Sequence, residues 1–510
     1  MNRDVAATWR YHNDTKHSVA SLRAHRHYLD WDNKPLPFKV YPTIEPMPLP
    51  RELGSSAVAA LDAIAGAGAS VGATAVPDLD ELARLLHFSA GITRKKVYPD
   101  GQEYHFRAAA CTGALYHIDL YVICGELPGL AAGVYQFGPH NFALHCLRAG
   151  DHRGVLVEAT GNEPAVERAP LIIAAASTYW RNAWKYQSRA YRHCFWDSGT
   201  ILANLLAVAA ADALPAQVVC GFVDATVGAL LGLHPEKEGA LALVALGQAP
   251  TAVAPSPPVP AVALETLPLS PHEVDYPAIR AMHAASVLQM PDEVRAWRAG
   301  ATPAVAHPSP SADTIALRPL ADASRPAESI DRVILRRGST RQFAPTAISF
   351  EQLSTILQSS TRGVSADYGV VARDLYLIVN AVDGLAPGAY VFRRESNALE
   401  LLRAGSFRRE AGFLGLGQEL PADASVNIYA LCDLEPLLAR FGNRGYRVAQ
   451  LDAALTGGKL YLAAYALRLG ATGLTFFDDD VTEFFSPHAA GKSVMFLMAI
   501  GRGKKALPLA

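Results

Sequence analysis

Two stretches of this 510-residue chain repeat one another. D-L-Y-V-I-C-G-E-L-P-G-L-A-A-G-V-Y-Q-F begins at Asp119, and D-L-Y-L-I-V-N-A-V-D-G-L-A-P-G-A-Y-V-F begins at Asp374. The match runs on to L-R-A-G at Leu147 to Gly150 and Leu402 to Gly405, giving 16 identities in 32 ungapped positions at an offset of 255. The same offset pairs Arg189, Tyr191, Arg192 and Asp197 with Arg444, Tyr446, Arg447 and Asp452, then Phe222 and Asp224 with Phe477 and Asp479. The chain is a tandem duplication, so one structural plan is built twice. The length, too great for one core, agrees with two domains.

Each copy has the same layout. A short apolar helix (Leu79 to Phe88; Phe350 to Leu357) precedes a strand (Leu120 to Cys124; Leu375 to Val379). A second strand follows (Val134 to Phe137; Ala389 to Phe392), with Gly-Leu-Ala before it as a turn signal. Then come a third strand (Leu171 to Ala176; Val426 to Leu431), a long helix (Asp197 to Leu214; Asp452 to Leu469) and a last strand (Leu241 to Leu246; Val494 to Ile500). Both long helices are apolar nearly all round, as buried central helices are. Strands interleaved with helices predict an α+β fold or an α/β sandwich. The division expected is an N-terminal arm over 1–50, a first domain over 51–249, a Pro/Ala-rich linker over 250–326 with a helix at Tyr276 to Leu288, and a second domain over 327–510.

A net charge of −2 gives no reason to expect nucleic acid or an anionic membrane as partner. The apolar stretches are too short or too polar to cross a bilayer, and the first residues carry no secretory apolar run. Six scattered cysteines form no C-x-x-C pair and predict reduced thiols in a cytoplasmic protein. His12, His17, His25 and His27 lack metal-ligand spacing, so no metal is expected.

Chemistry is sought where the copies differ, because duplicated copies share their structural residues. R-R-G-S-T-R-Q-F, with Arg336, Arg337, Ser339 and Arg341, has no counterpart ahead of Leu79. Guanidinium forks match phosphate oxygens, although a basic run is often merely a solvated turn. The tail G-R-G-K-K adds Arg502 and Lys504 in the second copy only. Conversely, the first copy alone has F-R-A-A-A-C-T-G-A-L-Y-H before its first strand, on a segment 16 residues longer. Its small residues let backbone N–H groups approach a flat ring or an anion. Finally, Lys185 and Tyr186, which can move protons once their pKa values are lowered, become Arg440 and Phe441 in the second copy. His193 reads as structural.

Together these residues resemble the FMN-dependent nitroreductase superfamily, and within it the SagB-type (SagB/ThcOx) dehydrogenases, which include azoline oxidases of ribosomal peptide biosynthesis. The basic run resembles the superfamily's flavin-phosphate motif, R-R-x-S-x-R-x-F. The loop Arg107 to Gly113 is similar to its P-S-x-G loop, with Ala110, Cys111 and Thr112 in place of Pro, Ser and the small residue. Lys185-Tyr186 falls on the catalytic Lys-Tyr of azoline-oxidising members. Y-H-N-D-T-K-H-S at Tyr11 and L-D-W-D-N-K-P-L-P-F-K at Leu29 look like the subfamily's N-terminus.

The resemblance implies two nitroreductase-like domains, each a mixed sheet flanked by helices, forming an intrachain pseudo-dimer. It implies one composite FMN site: Arg336, Arg337, Ser339 and Arg341, helped by Arg502 or Lys504, on the phosphate, and Arg107, Cys111, Thr112 and Gly113 beside the ring. Lys185 and Tyr186 would be catalytic. The implied reaction is dehydrogenation of a peptide thiazoline or oxazoline to the azole, possible within a modifying-enzyme complex. An NAD(P)H-dependent nitro or quinone reductase and a non-catalytic scaffold are the alternatives.

Overall fold

The computed structural model describes residues 2–504 except 25–26, 67–73, 100, 102, 257–258, 261, 263, 301–313, 363 and 370–373. Part of the Pro/Ala-rich linker and part of the second copy's loop before Asp374 thus lie outside the described residues.

The D-L-Y repeat forms the strands Ile118–Cys124 and Asp374–Val379, buried along their whole length. They read as continuous apolar runs rather than alternating ones because both faces of each sheet are covered. In the first copy the sheet order is Pro46–Pro48, Ala143–Ala149, Gly133–Gly138, Ile118–Cys124, Leu171–Thr178, Glu238–Leu246, Ala216–Val219. In the second, Thr314–Ala316, Ala398–Ala404, Gly388–Arg393, Asp374–Val379, Val426–Cys432 and Ser493–Gly503 follow the same order. Phe343–Ala344 and Gly470–Leu474 both pair with that last strand. The register repeats as well: Leu120 faces Ala175, and Leu375 faces Ala430. Pairing within both main sheets is antiparallel, which refines the expected mixed sheet. The edge strands Pro46–Pro48 and Thr314–Ala316 come from the expected arm and linker.

Both short apolar helices, Leu79–Ala90 and Phe350–Thr361, start at capping boxes, Asp78 with Glu81 and Ser349 with Gln352. The central helices run Ala190–Ala211 and Arg444–Ala466, each starting at least a turn earlier than expected. Charged Arg192 and Arg447 lie within the helices because each is buried and neutralised by a carboxylate of the other copy. The two helices pack directly together: a Cβ on Gly199 would stand 2.6 Å from the Leu455 nitrogen, and one on Gly458 would stand 2.5 Å from Ala203 Cβ. The stretch Tyr179–Ala211 is long and apolar enough to cross a membrane, but it is mostly buried inside the protein.

The carboxylates that neutralise those arginines also tie down the arm and the linker. Arg189 and Arg192 reach Asp478 of the second copy at 3.0 and 2.6 Å; Arg444 and Arg447 reach Asp224 of the first at 2.7 Å each. Asp478, rather than Asp479, is therefore the counterpart of Asp224 in the repeat, and Asp479 instead meets Lys16 at the surface. The 255 offset has slipped by one residue there. On one side Arg189 donates to the Thr15 carbonyl, while Arg192 donates to Thr15 Oγ1 and the His12 carbonyl. On the other, Arg444 donates to the Ser286 carbonyl, while Arg447 donates to Ser286 Oγ and the His283 carbonyl. The arm helix Ala6–Asp14 and the linker helix Pro277–Ala285 are thus held by the same scheme.

Candidate active site between the copies

The helix Tyr179–Tyr186 leaves the strand Leu171–Thr178 and breaks at Gln187, which has φ 49° and ψ −139°. That region suits glycine, and the second copy has Gly442 in the matching place, with φ 64°. A non-glycine residue there stores strain, which in proteins concentrates at functional sites. The break leaves Lys185 and Tyr186 facing a cavity of about 440 Å³.

Both copies build this cavity. Gly113, Lys185, Tyr186 and His193 line it from the first, and Ser339, Arg341, Tyr461 and Thr475 from the second. Asp197, on the first central helix, shapes its floor. Its carboxylate accepts the Thr112 N–H at 2.9 Å, the Thr112 hydroxyl at 2.7 Å and the Cys111 thiol at 3.0 Å, and it meets His117 Nε2 at 2.9 Å. Thr112 is thus turned toward Asp197. Burial and Asp197 push the Cys111 thiol pKa well up, so the thiol stays protonated. Gly113 has φ 64°, and a Cβ there would stand 2.8 Å from the Tyr186 hydroxyl.

The proton-transfer pair splits in its electrostatics. Burial, with Arg341 second, lowers the Lys185 pKa, as expected. Burial, then Asp197 and Cys111, raises that of Tyr186, against expectation. Tyr186 is therefore a neutral phenol, and Lys185 the group closer to acting as base. The Lys185 ammonium lies 5.4 Å from the Tyr186 ring centroid. His193 stands edge-on to Tyr186 at 4.5 Å, with Nδ1 2.8 Å from Asn182 Oδ1. Burial keeps its imidazole neutral, and its buried Nε2 has no hydrogen-bond partner among the described residues. The structural reading of His193 missed that it lines the cavity.

The basic motif divides. Arg341 is exposed at the rim, and Ser339 Oγ is 3.1 Å from Tyr461 Oη. Arg337 crosses to the first copy, donating to the Ala108 carbonyl at 2.9 Å and that of Arg107 at 3.3 Å. Arg336 lines neither this cavity nor its neighbour, for its guanidinium pairs with Glu328 and donates to the Tyr465 carbonyl at 2.7 Å. The Arg107 guanidinium instead holds the arm, donating to the Pro37 carbonyl at 2.6 Å. Arg502 and Lys504 also line neither cavity: Arg502 donates to the Ala347 carbonyl at 3.1 Å, and Lys504 lies 3.8 Å from Asp423.

A second cavity of about 390 Å³ adjoins the first, sharing Cys111, Ser339 and Arg341. Arg337 lines it, together with Arg94, Lys95 and Lys96 of a hairpin, Ile92–Val97 with Glu103–Arg107, that sequence reading overlooked. The hairpin falls within the longer segment of the first copy, and that excess length was its only signal. Among the described residues no cluster suits a metal ion.

The space around Phe441, the counterpart of Tyr186, is filled. Trp297, on the helix Pro291–Ala299, packs on Phe441 at 4.9 Å between centroids and donates to its carbonyl at 3.2 Å. A Cβ on Gly221 would stand 2.8 Å from the Trp297 ring and 2.9 Å from Asp367 Oδ2. The Asp367 carboxylate accepts the N–H groups of Cys220 and Gly221 at 2.8 and 2.7 Å.

A crystal structure of a candidate nitroreductase from Anabaena variabilis shares 26% identity with this chain at a TM-score of 0.77, covering 98% of this chain and 99% of that one. A candidate nitroreductase of Methanocaldococcus jannaschii is 24% identical over 183 residues, 34% of this chain and 90% of the relative. The Escherichia coli microcin synthetase complex McbBCD, with truncated pro-MccB17 bound, overlaps 48% of this chain and 92% of that one at 17% identity, with a TM-score of 0.30, too little to inform function. The profile of the nitroreductase family matches residues 73–248 and again 334–502. Matched in both halves, the chain belongs to the nitroreductase family.

Proposed function

We propose that this chain is an FMN-dependent oxidoreductase with one composite cofactor site, and that it dehydrogenates a substrate such as a peptide thiazoline or oxazoline to the azole. One observation carries the reading: Ser339 and Arg341 of the second copy share a cavity with Gly113, Lys185 and Tyr186 of the first. The residues present fit the cofactor. The larger cavity combines aromatic walls at Tyr186, Trp196 and Tyr461 with polar groups, and His193 Nε2 and Thr475 Oγ1 are buried without hydrogen-bond partners among the described residues, which suits a flat ring edged with hydrogen-bonding groups. The adjoining cavity is cationic and suits a phosphate.

When bound, FMN supplies a two-electron acceptor that an external oxidant must restore. Azoline aromatisation removes one proton and one hydride and leaves a new ring double bond. Lys185, with its neutral amine favoured by burial and by Arg341, takes the proton. Tyr186 keeps its own proton and offers a hydrogen bond to the substrate heteroatom. Asp197 holds the Cys111–Thr112 turn, and Gly113 leaves room for the Tyr186 hydroxyl.

Lys185→Ala should lower single-turnover azole formation by about 10²-fold or more, the usual contribution of a positioned general base, while flavin content stays unchanged. The same variant separates the second reading, reduction of nitroaromatics or quinones by NAD(P)H, which the family assignment favours. If Lys185→Ala forms azole at the wild-type rate and NAD(P)H bleaches the flavin rapidly, the reductase reading replaces the dehydrogenase.

A further inference from the structure

We propose that Arg94 and Lys96, on the first copy's hairpin, are ligands of the cofactor phosphate and take the place that the C-terminal basic residues were expected to fill. The inference rests on the FMN reading above. A Cβ on Gly338 would stand 3.4 Å from Arg94 Nη2, so the Arg94 guanidinium lies against the glycine between Arg337 and Ser339. Lys96, Arg337 and Arg341 line the same 390 Å³ cavity. Lys95 is committed to Glu103, whereas among the described residues Arg94, Lys96, Arg337 and Arg341 have no carboxylate partner. The contacts of the hairpin cations are aromatic: Arg94 lies 5.5 Å from the Phe106 centroid, and Lys96 lies 4.1 Å from that of Tyr98.

Four cations around one cavity repel one another, and Arg94 adds to burial in lowering the Arg337 pKa. A dianion bound among them relieves that repulsion and gains charge-assisted hydrogen bonds. Because the second copy is 16 residues shorter in this segment, the clamp can exist only once per chain.

Titrating the flavin-free chain with FMN and with riboflavin, which has no phosphate, tests this. Arg94→Ala with Lys96→Ala should weaken FMN binding about tenfold or more at low salt, since two charge-assisted hydrogen bonds are lost, and should leave riboflavin binding unchanged. Arg502→Ala with Lys504→Ala should change neither. Unaltered FMN affinity in the hairpin variant overturns the inference, as does an equal loss of both flavins, which would mark a structural role. A wild-type chain that binds neither flavin overturns the FMN reading together with it.

Discussion

Gly113 shows how tightly single residues are specified in this site. Its left-handed φ of 64° disfavours any side chain, and the Tyr186 hydroxyl occupies the space a Cβ would need. Gly113→Ala should therefore destabilise the protein by about 1–2 kcal/mol, read as a lower thermal midpoint, and should depress turnover more than stability because Tyr186 must move. Wild-type turnover in that variant would mean Tyr186 does not touch substrate. Gly113 was legible from sequence because small residues cluster there in one copy only. The direction of the Tyr186 shift was not: it follows from burial beside Asp197, and Asp197 had been noticed only as half of a repeated pair. Arg336 misled for a similar reason, since a run of arginines does not reveal that one of them turns inward to Glu328.

Among the elements, the arm and linker helices depend on buried ion pairs. Burial alone would raise the Asp478 carboxyl, but Arg189 and Arg192 outweigh it and hold its pKa well below the ordinary range. Arg444 and Arg447 likewise outweigh burial and lower the Asp224 pKa. A depressed carboxyl contributes stability that is fully present above its unfolded pKa, about 3.9, and is lost as pH falls through the folded value. Denaturant midpoints should hold steady from neutral pH to about 5 and then decline below about 4. Asp478→Asn should cost about 3–5 kcal/mol at pH 7 by leaving two buried guanidiniums unpaired, and should flatten that acid decline. A variant with the wild-type acid profile would show that the pair does not govern it. The expected strands were legible to within about three residues, since apolar runs bounded by turns mark them, whereas Ala143–Ala149 and Ala398–Ala404 were missed. The central helix starts were not, because Arg192 and Arg447 look solvated until the other copy's carboxylates are seen. The match between arm and linker was invisible because it rests largely on backbone carbonyls, which sequence can change around freely.

At the scale of the whole molecule, duplication has been followed by specialisation. The copies keep one sheet order and one arginine clamp, but one interfacial space stays open while Trp297 and Asp367 fill its counterpart. The plan was readable from the repeat, and the missing half-motifs are the basis for expecting one composite site rather than two. What fills the space around Phe441 was not legible, since Trp297 sits in a stretch that reads as linker. The central claim is a single composite cofactor site, and the stoichiometry of flavin binding tests it most directly. The purified chain, saturated with FMN and freed of excess, should show a flavin absorption spectrum corresponding to one flavin per chain. Two per chain, or none, would contradict the account.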